Sequence, residues 1–189
     1  MQCPNAAEPS FRTPAYPLIS EEQPVAIFNL LRWHIVVVIF VVGCFRIRVA
    51  NSSDLPGVCA VERRSFEDDV YPPFLLERLI SDPRAMFYVL TDELGGIIGY
   101  CVAKVEGSYS HLISLAVLPE RRRLGGAIQM LSELFAVTKG LGILEVRLEV
   151  RTSNDPAIQL YRRFGFRDAG VLEDYYSDGS PAISMRMVI

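Results

Sequence analysis

The sequence predicts a mixed α/β domain that contains several antiparallel hairpins and two crossover helices. Residues 144–151 (LEVRLEVR) alternate strictly between apolar and charged side chains, which is the pattern of a half-buried strand. Residues 125–139 place apolar side chains at helical spacing, and Gly140 follows as a helix terminator. Residues 92–95 (DELG) separate two β-rich runs and predict the turn of a hairpin.

The elements of the first half follow from turn residues and local periodicity. Residues 51–54 (NSSD) supply a helix N-cap, and an apolar stripe from Leu55 to Phe66 continues it as a helix. Residues 71–73 (YPP) break the chain before a second short helix. The remaining predictions for this half are the second helix at 74–80 and strands at 45–50, 85–91, 96–105 and 110–117.

The second half alternates helices with strands before it closes with a hairpin. The inward-facing side chains of the helix at 125–139 are predicted to be Ile128, Leu131, Leu134 and Phe135. Asp155-Pro156 starts a further helix that runs to Phe164 and stops at Gly165. Residues 166–174 and 182–189 are apolar runs on either side of a turn, and they predict the final hairpin. The predicted order is therefore β, α, α, β, β, β, α, β, α, β, β.

Length and composition exclude several classes of protein. A chain of 189 residues predicts one domain, or one domain with an extension, and its 50% apolar content excludes intrinsic disorder. The net charge of -3 argues against a general nucleic-acid binder, which would be basic over the domain. The four scattered cysteines form no C-x-x-C pair, so neither a zinc ribbon nor a disulfide scaffold is expected. We expect the protein to be in a reducing compartment.

Residues 1–44 differ in composition from the rest and are predicted to be an N-terminal extension. Residues 1–26 are polar and Pro-rich, whereas residues 27–45 are strongly apolar. The uninterrupted apolar run at 35–45 is shorter than the roughly 20 residues that a membrane-spanning helix needs. The segment fits a signal peptide poorly, because the residues that precede the apolar run are acidic. The sequence VVGC at 41–44 only faintly resembles a lipoprotein cleavage box. We expect a segment that packs on the domain or on a membrane surface, or an upstream start that the cell does not use.

The most informative loop joins a predicted strand to the helix at 125–139. It reads VLPERRRLGGAI over residues 117–128, with three arginines at 121–123 and the pair Gly125-Gly126 at the helix start. The free N–H groups of a helix N-terminus hold anions, and glycine lets a phosphate approach the backbone. The loop predicts a pyrophosphate site, although it matches neither the P-loop nor G-x-G-x-x-G. The alternative is a solvated basic turn beside a flexible joint.

A second stretch, LEVRTSNDPAIQLYRRFGF at 148–166, carries a resemblance to a known family. With the loop above, which matches the [QR]-x-x-G-x-[GA] motif from Arg122 to Ala127, it resembles the GNAT N-acetyltransferase superfamily. The likeness is to the ribosomal-protein-alanine and archaeal N-terminal α-acetyltransferase branch, and YYSDG at 175–179 continues it. The resemblance implies a GNAT domain over 45–189, with a mixed, mostly antiparallel central sheet flanked by helices.

The resemblance implies that the protein transfers an acetyl group from acetyl-CoA to the N-terminal α-amine of a protein or peptide. Leu115, Ala116 and Val117 would hold the acetyl-pantetheine arm through their backbone, and Asn154 would reach the cofactor from a later loop. The residues implied around the pyrophosphate are Arg122, Arg123, Leu124, Gly125, Gly126, Ala127 and Ile128.

The resemblance also implies the catalytic residues. Glu149 matches the family's general base and Tyr161 its general acid, and the archaeal relatives carry a histidine at His111 that faces the glutamate. Such a pair would hold a water or share base duty. From the residues alone, Glu149 lies on a charged strand face that could be solvent, Tyr161 could be a core tyrosine, and His111 could be structural. Two ligands are too few for a metal site, so no metal is predicted.

The acceptor side is predicted from loops. DDVYP at 68–72 resembles the family's substrate loop between the first two helices. Asp69 is expected to attract the incoming ammonium, and Tyr71 and Tyr176 are expected to form the walls of the site. The alignment leaves Asp68 and Asp69 both open for the acidic role, and the alternative for the pair is a solvated turn.

Three other functions remain as alternatives. A lysine or small-molecule amine N-acetyltransferase can use the same scaffold. A non-catalytic acyl-CoA-binding regulatory module is the alternative from another class, but the presence of both Glu149 and Tyr161 argues against it. A nucleic-acid reader is least expected. We expect protein N-termini as partners, including ribosomal or nascent chains, a cytoplasmic location and no membrane partner, and the oligomeric state stays open.

Overall fold

A computed structural model of the protein describes residues 45–66 and 69–189, so the predictions for residues 1–44 and for Asp68 lie outside the described residues. The strands are β1 Arg46–Val49, β2 Ala85–Thr91, β3 Ile97–Glu106, β4 Tyr109–Val117, β5 Glu145–Arg151, β6 Arg167–Leu172 and β7 Ala182–Val188. The helices are α1 Leu55–Ser65, α2 Pro73–Ser81, α3 Gly126–Gly140 and α4 Asp155–Phe164. Their order along the chain agrees with the prediction, and the mixed α/β fold class is confirmed.

The strands form one seven-stranded sheet in the order β1-β2-β3-β4-β5-β7-β6. Neighbouring strands pair antiparallel except β4 and β5, which run parallel because α3 carries the chain from one to the other. The mostly antiparallel sheet that the resemblance implied is therefore present. β5 pairs with β7 along its whole length, from Glu145↔Val188 to Arg151↔Ala182.

Helices cover both faces of the sheet. Tyr100 and Cys101 are consecutive residues of β3, so their side chains point to opposite faces. Glu62 of α1 accepts a hydrogen bond from Tyr100, whereas Tyr161 of α4 lies beside Cys101. Helix α4 packs on α3, which places both helices on the Cys101 face and α1 on the other. The two faces are thus covered by different helices.

Two details of the predicted elements are wrong. Ile128 was expected to face the core, but its side chain is about half exposed and Met130 is buried instead. The reason is that Ile128 belongs to the first turn of α3, which begins at the rim of the sheet. Strand β6 is shorter than the predicted 166–174 and exposed throughout, because it forms the edge of the sheet.

The pairing of β4 with its neighbours changes in the middle of the strand. The register with β3 shifts between Val102↔Ser114 and Ala103↔Leu112, so Ile113 is an extra residue in a β-bulge. The parallel pairing with β5 consists of Ser110↔Val146 and His111↔Arg147. Both strands continue beyond this point, and we call the opening between them, from Leu112 onward, the β4–β5 gap.

We expect Gly99→Ala to destabilise the protein by about 1–3 kcal/mol, because an added methyl group has no room beside β4. A Cβ atom at Gly99 would lie 2.8 Å from the Ala116 carbonyl oxygen, which is backbone and cannot move without shifting β4. Chemical denaturation measures the free energy of unfolding. Gly140→Ala is the matched control, since nothing lies within 4 Å of its Cβ position. The control should be unchanged or up to about 1 kcal/mol more stable, and equal losses in both variants would contradict the packing argument.

Candidate active site

A histidine and a glutamate meet at the start of the β4–β5 gap. The parallel register sets His111 of β4 opposite Arg147 of β5, and Glu149 follows two residues later on the same face of β5. The imidazole Nε2 of His111 lies 2.6 Å from Oε2 of Glu149. About a fifth of each side chain is exposed, so the pair is sheltered and still reachable by a ligand. The predicted juxtaposition of these two residues is present.

The surroundings of His111 favour its protonated form. Burial opposes the charge, but the hydrogen bond to Glu149 and the charges of Glu149 and Glu106 outweigh burial and raise the pKa of His111 above 6.5. Glu106 lies 3.9 Å from Nδ1, and the hydroxyl of Tyr109 donates a hydrogen bond to it. Because the pKa is raised in the folded state, this contribution to stability is present below pH 6.5 and is lost as the pH rises through the raised pKa.

The Tyr161 hydroxyl is a proton donor at neutral pH. Burial, with smaller effects from Cys101 and Tyr176, raises the pKa of Tyr161 far above its usual range. Tyr176 lies close to Tyr161 and also close to Glu149, and burial raises the pKa of Tyr176 to about 12. Among the three predicted catalytic residues, His111 and Glu149 are in direct contact, and Tyr176 is electrostatically coupled to both Glu149 and Tyr161.

Backbone groups of β4 face the gap at every second residue. Leu118 donates its N–H to the Ile98 carbonyl, so the alternation of an antiparallel ladder turns the backbone of Leu115 and Val117 away from β3. The same alternation directs the backbone of Ala116 toward Tyr100. Of the three residues predicted to hold the pantetheine arm, Leu115 and Val117 therefore present backbone groups to the gap.

The arginine of the glycine-loop motif folds back onto the protein. Arg122 Nε donates to the Val117 carbonyl at 3.0 Å, and Nη2 reaches the Ser65 carbonyl at 3.5 Å. These bonds tie the loop to the end of β4 and to the end of α1. Arg122 therefore braces the loop, and a contact of its side chain with the cofactor stays a prediction.

The start of α3 has the geometry of an anion site. Arg123 and Gly125 have positive φ angles of 63° and 90°, and Gly125 accepts the first helical hydrogen bond from Gln129 at 3.0 Å. The N–H groups of Gly126, Ala127 and Ile128 precede that bond and lie at the positive end of the helix dipole. A Cβ atom at Gly126 would lie 2.5 Å from the buried Leu90 side chain, so glycine lets the helix sit close to the sheet. Leu124 and Ile128 flank this turn with exposed apolar side chains.

Asn154 has a local structural role. Its Oδ1 accepts a hydrogen bond from the N–H of Ala157 at 3.3 Å, so it caps the N-terminus of α4. The side chain is exposed, and the predicted contact of its amide group with the cofactor stays a prediction.

The predicted acceptor residues come together from two loops. Asp69 lies in the α1–α2 loop and pairs with Arg151 of β5, while Tyr176 lies in the β6–β7 turn with its ring 4.1 Å from the same guanidinium. Tyr71 packs partly buried against the core. Since Arg151 balances the charge of Asp69, the attraction of an ammonium by Asp69 stays a prediction.

The sequence reasoning missed a buried acid that anchors the α1–α2 loop. Glu62 is fully buried, and burial raises its pKa although hydrogen bonds from Tyr100 and from the N–H of Tyr71 oppose that effect. The Tyr71 bond measures 2.8 Å, and the Tyr100 hydroxyl also contacts Ser114 Oγ at 2.8 Å. A charged residue within the apolar stripe of a helix was the available signal.

Glu106 and Arg151 were also missed. Arg151 lies on the charged face of β5 with Glu149, so the strict alternation of that strand was its signal. Glu106 ends β3 and reaches His111 only through the β3–β4 hairpin, and no sequence pattern marked that proximity.

Residues 45–66 and 69–189 contain neither a cluster of metal ligands nor a helix suited to a membrane. No group of three or more His, Cys, Asp or Glu side chains in these ranges is arranged to hold a metal ion. None of the helices in these ranges combines the length and the apolar character needed to cross a bilayer.

Comparison with known proteins identifies the same family along most of the described chain. The model of the acetyltransferase (GNAT) family matches residues 53–166, from the start of α1 to the end of α4. An N-alpha-acetyltransferase of Sulfurisphaera tokodaii is 32% identical over 154 residues, which cover 75% of this chain and 91% of that protein.

Solved structures agree with the sequence comparison. Ard1 from Thermoplasma volcanium superimposes with a TM-score of 0.73 at 28% identity, over 78% of this chain and 99% of that one. The ribosomal-protein-S18-alanine N-acetyltransferase from Escherichia coli has a TM-score of 0.71 at 28% identity, over 77% of this chain and 94% of that one.

We expect Glu149→Gln to lower the pKa of His111, because the substitution removes the charge that stabilises the imidazolium and leaves Glu106 in place. An NMR titration of the His111 ring, assigned with His111→Asn, measures the change. Glu145→Gln is the matched control, since Glu145 lies on the same strand face but pairs with Arg147 at 2.8 Å. A similar shift in both variants would show that general charge, and not the Glu149 contact, sets the pKa of His111.

Proposed function

This chain belongs to the GNAT acetyltransferase family, and we propose that it transfers the acetyl group of acetyl-CoA to the N-terminal α-amine of a protein or peptide. It is an acetyl-CoA-dependent N-acetyltransferase, with acetyl-CoA as co-substrate. The observation that carries the choice of acceptor is the His111–Glu149 pair, which lies at the gap of β4 and β5 beside two tyrosine-bearing loops. The relatives named N-alpha-acetyltransferase support the same acceptor.

The donor side of the proposal uses β4 and α3. The residues present fit acetyl-CoA, because the first turn of α3 offers N–H groups and Gly126 keeps the helix close to the sheet. The pyrophosphate would be held by residues 123–128, and the pantetheine arm by the backbone of Leu115 and Val117. When bound, acetyl-CoA supplies the acetyl group as an activated thioester.

The acceptor side depends on removal of a proton. An α-amine has a pKa of about 7.7–8.0 and a lysine side chain one of about 10.4, so an N-terminal amine is already partly neutral near pH 7. A modest base is then sufficient. Glu149 lies at the gap with His111 hydrogen-bonded to it, so Glu149 would take the proton of the amine directly or through a water that the two side chains hold.

The residue proposed to assist the departing CoA thiolate is Tyr161. A thiol has a reference pKa of about 8.5, so a departing thiolate needs little help. The Tyr161 hydroxyl keeps its proton at neutral pH because burial raises its pKa. It would therefore be present as a neutral phenol that can donate a hydrogen bond to the departing thiolate, and the general-acid role that the family resemblance gives it remains part of the proposal.

Asn154, Asp69, Tyr71 and Tyr176 complete the proposed site as ligand contacts. The contacts of Asp69 and Tyr176 with Arg151 support a peptide end as the acceptor, whereas Asn154 is proposed as a contact to the cofactor. Ribosomal or nascent chains as natural substrates and a cytoplasmic location remain part of the proposal.

We expect the protein to acetylate short peptides that have a free N-terminus and to leave N-terminally blocked peptides with internal lysines unmodified. The reason is the difference in amine pKa and the limited strength of the base. Release of free CoA thiol, with mass spectrometry of the peptides, measures the reaction. Turnover of the blocked peptides or of polyamines alone would identify a lysine or small-amine acetyltransferase. Acetyl-CoA binding without turnover of any amine would identify a regulatory module.

Glu149→Gln should lower turnover about 10- to 100-fold, because an amide cannot accept the proton. Binding of acetyl-CoA, measured by calorimetry, should stay nearly intact since the donor contacts lie on β4 and α3. Glu145→Gln serves again as the control and should keep both activity and binding. A matched loss of acetyl-CoA binding in Glu149→Gln would mean that Glu149 is structural.

A further inference from the structure

One arginine contacts both loops that border the acceptor side of the site. Arg151 ends β5, two residues beyond Glu149 and on the same face of the strand. Its Nη2 pairs with Asp69 in the α1–α2 loop, and its Nη1 lies 2.7 Å from Oδ2 of Asp178 in the β6–β7 turn. The Arg151 side chain is only 22% exposed, so these ion pairs are partly shielded from water.

The same arginine also supports the tyrosine of the β6–β7 turn. Its guanidinium carbon lies 4.1 Å from the centre of the Tyr176 ring, in the geometry of a cation–π contact. Asp178 accepts a hydrogen bond from the N–H of Ser180 at 2.9 Å, and that bond together with Arg151 holds the pKa of Asp178 at about 2. The turn is thus ordered internally, and Arg151 docks it onto β5. We call Arg151, Asp69, Tyr176 and Asp178 the Arg151 latch.

The latch joins segments that are far apart in the chain. Arg151 and Asp69 are 82 residues apart, and Ser177 Oγ donates directly to Asp69 Oδ1 at 3.4 Å across 108 residues. The N–H of Tyr71 is anchored separately on Glu62. The α1–α2 loop therefore has one anchor inside the domain and one on the latch, and both Asp178 and the Tyr176 ring contact Arg151.

We propose that Arg151 is a positioning residue that holds the α1–α2 loop and the β6–β7 turn together and so shapes the mouth through which the acceptor peptide reaches Glu149. The planar guanidinium can pair with two carboxylates and stack on a ring at once, which the single ammonium of lysine cannot do. The link to peptide binding rests on the proposed function; the link between the two loops does not.

Steady-state kinetics test whether Arg151 contributes to binding of the acceptor peptide. Arg151→Ala should raise the KM for a free-N-terminus peptide about 10-fold, since a displaced loop misplaces the acceptor. The kcat at saturating peptide and the KM for acetyl-CoA should change by less than about twofold, because Arg151 touches neither the reacting groups nor the donor site. Arg151→Lys and Asp178→Asn each keep part of the latch and should give intermediate values.

Arg162→Ala is the matched control for these variants. Arg162 pairs with Asp168 at 2.7 Å on the exposed side of α4 and contacts neither loop. Its peptide KM should equal that of the wild type. An equal rise in the control, or a loss of kcat without a change of peptide KM in Arg151→Ala, would overturn the proposal.

Hydrogen–deuterium exchange tests the latch without any assay of activity. In Arg151→Ala, residues 69–71 and 174–180 should both exchange faster, while β4 keeps its protection. A response of one loop alone, or of neither, would overturn the latch even if peptides are acetylated. Faster exchange of both loops in a protein that acetylates no peptide would instead support the latch and refute the proposed acceptor.

Discussion

The end of the pairing between β4 and β5 is the constraint on which the site depends. Two parallel residue pairs hold the strands together, and after His111 they separate beside the bulge at Ile113. The last pair brings His111 against Glu149, and the separation exposes the backbone of Leu115 and Val117. The region where the pairing ends therefore contains both the His111–Glu149 pair and the strand edge proposed for the donor.

The acceptor side is built on buried polar contacts. Glu62 has no cation beside it in the described contacts, and it accepts hydrogen bonds from Tyr100 and from the backbone of Tyr71. Tyr100 in turn meets Ser114, the residue after the bulge. Because a buried acid without partners would be costly, this network ties the α1–α2 loop to the irregular part of β4. The same hydrogen-bond network thus supports both Tyr71, the proposed wall of the acceptor site, and strand β4, which borders the gap.

The residues proposed for catalysis are distributed over the two faces of the sheet. Tyr161 and the start of α3 belong to the face that carries α3 and α4, whereas α1 and its loop cover the other face. Tyr176 lies near both Tyr161 and Glu149, so it stands where the two sides meet.

The sequence by itself determined the order of the elements, and it supplied the glycine loop proposed to bind an anion and, through a family resemblance, the proposed roles of Glu149, Tyr161 and His111. These features depend on local spacing: alternation along β5, glycines at the start of α3, and a motif of contiguous residues. Only the tertiary structure decided that Arg122 braces the loop, that Glu62 anchors Tyr71, and that Glu106 and Arg151 join the site. Each of these contacts links residues from different elements, so no local pattern encodes it. The exposure of Ile128 was misjudged for the same reason, because helical periodicity says nothing about where the sheet ends.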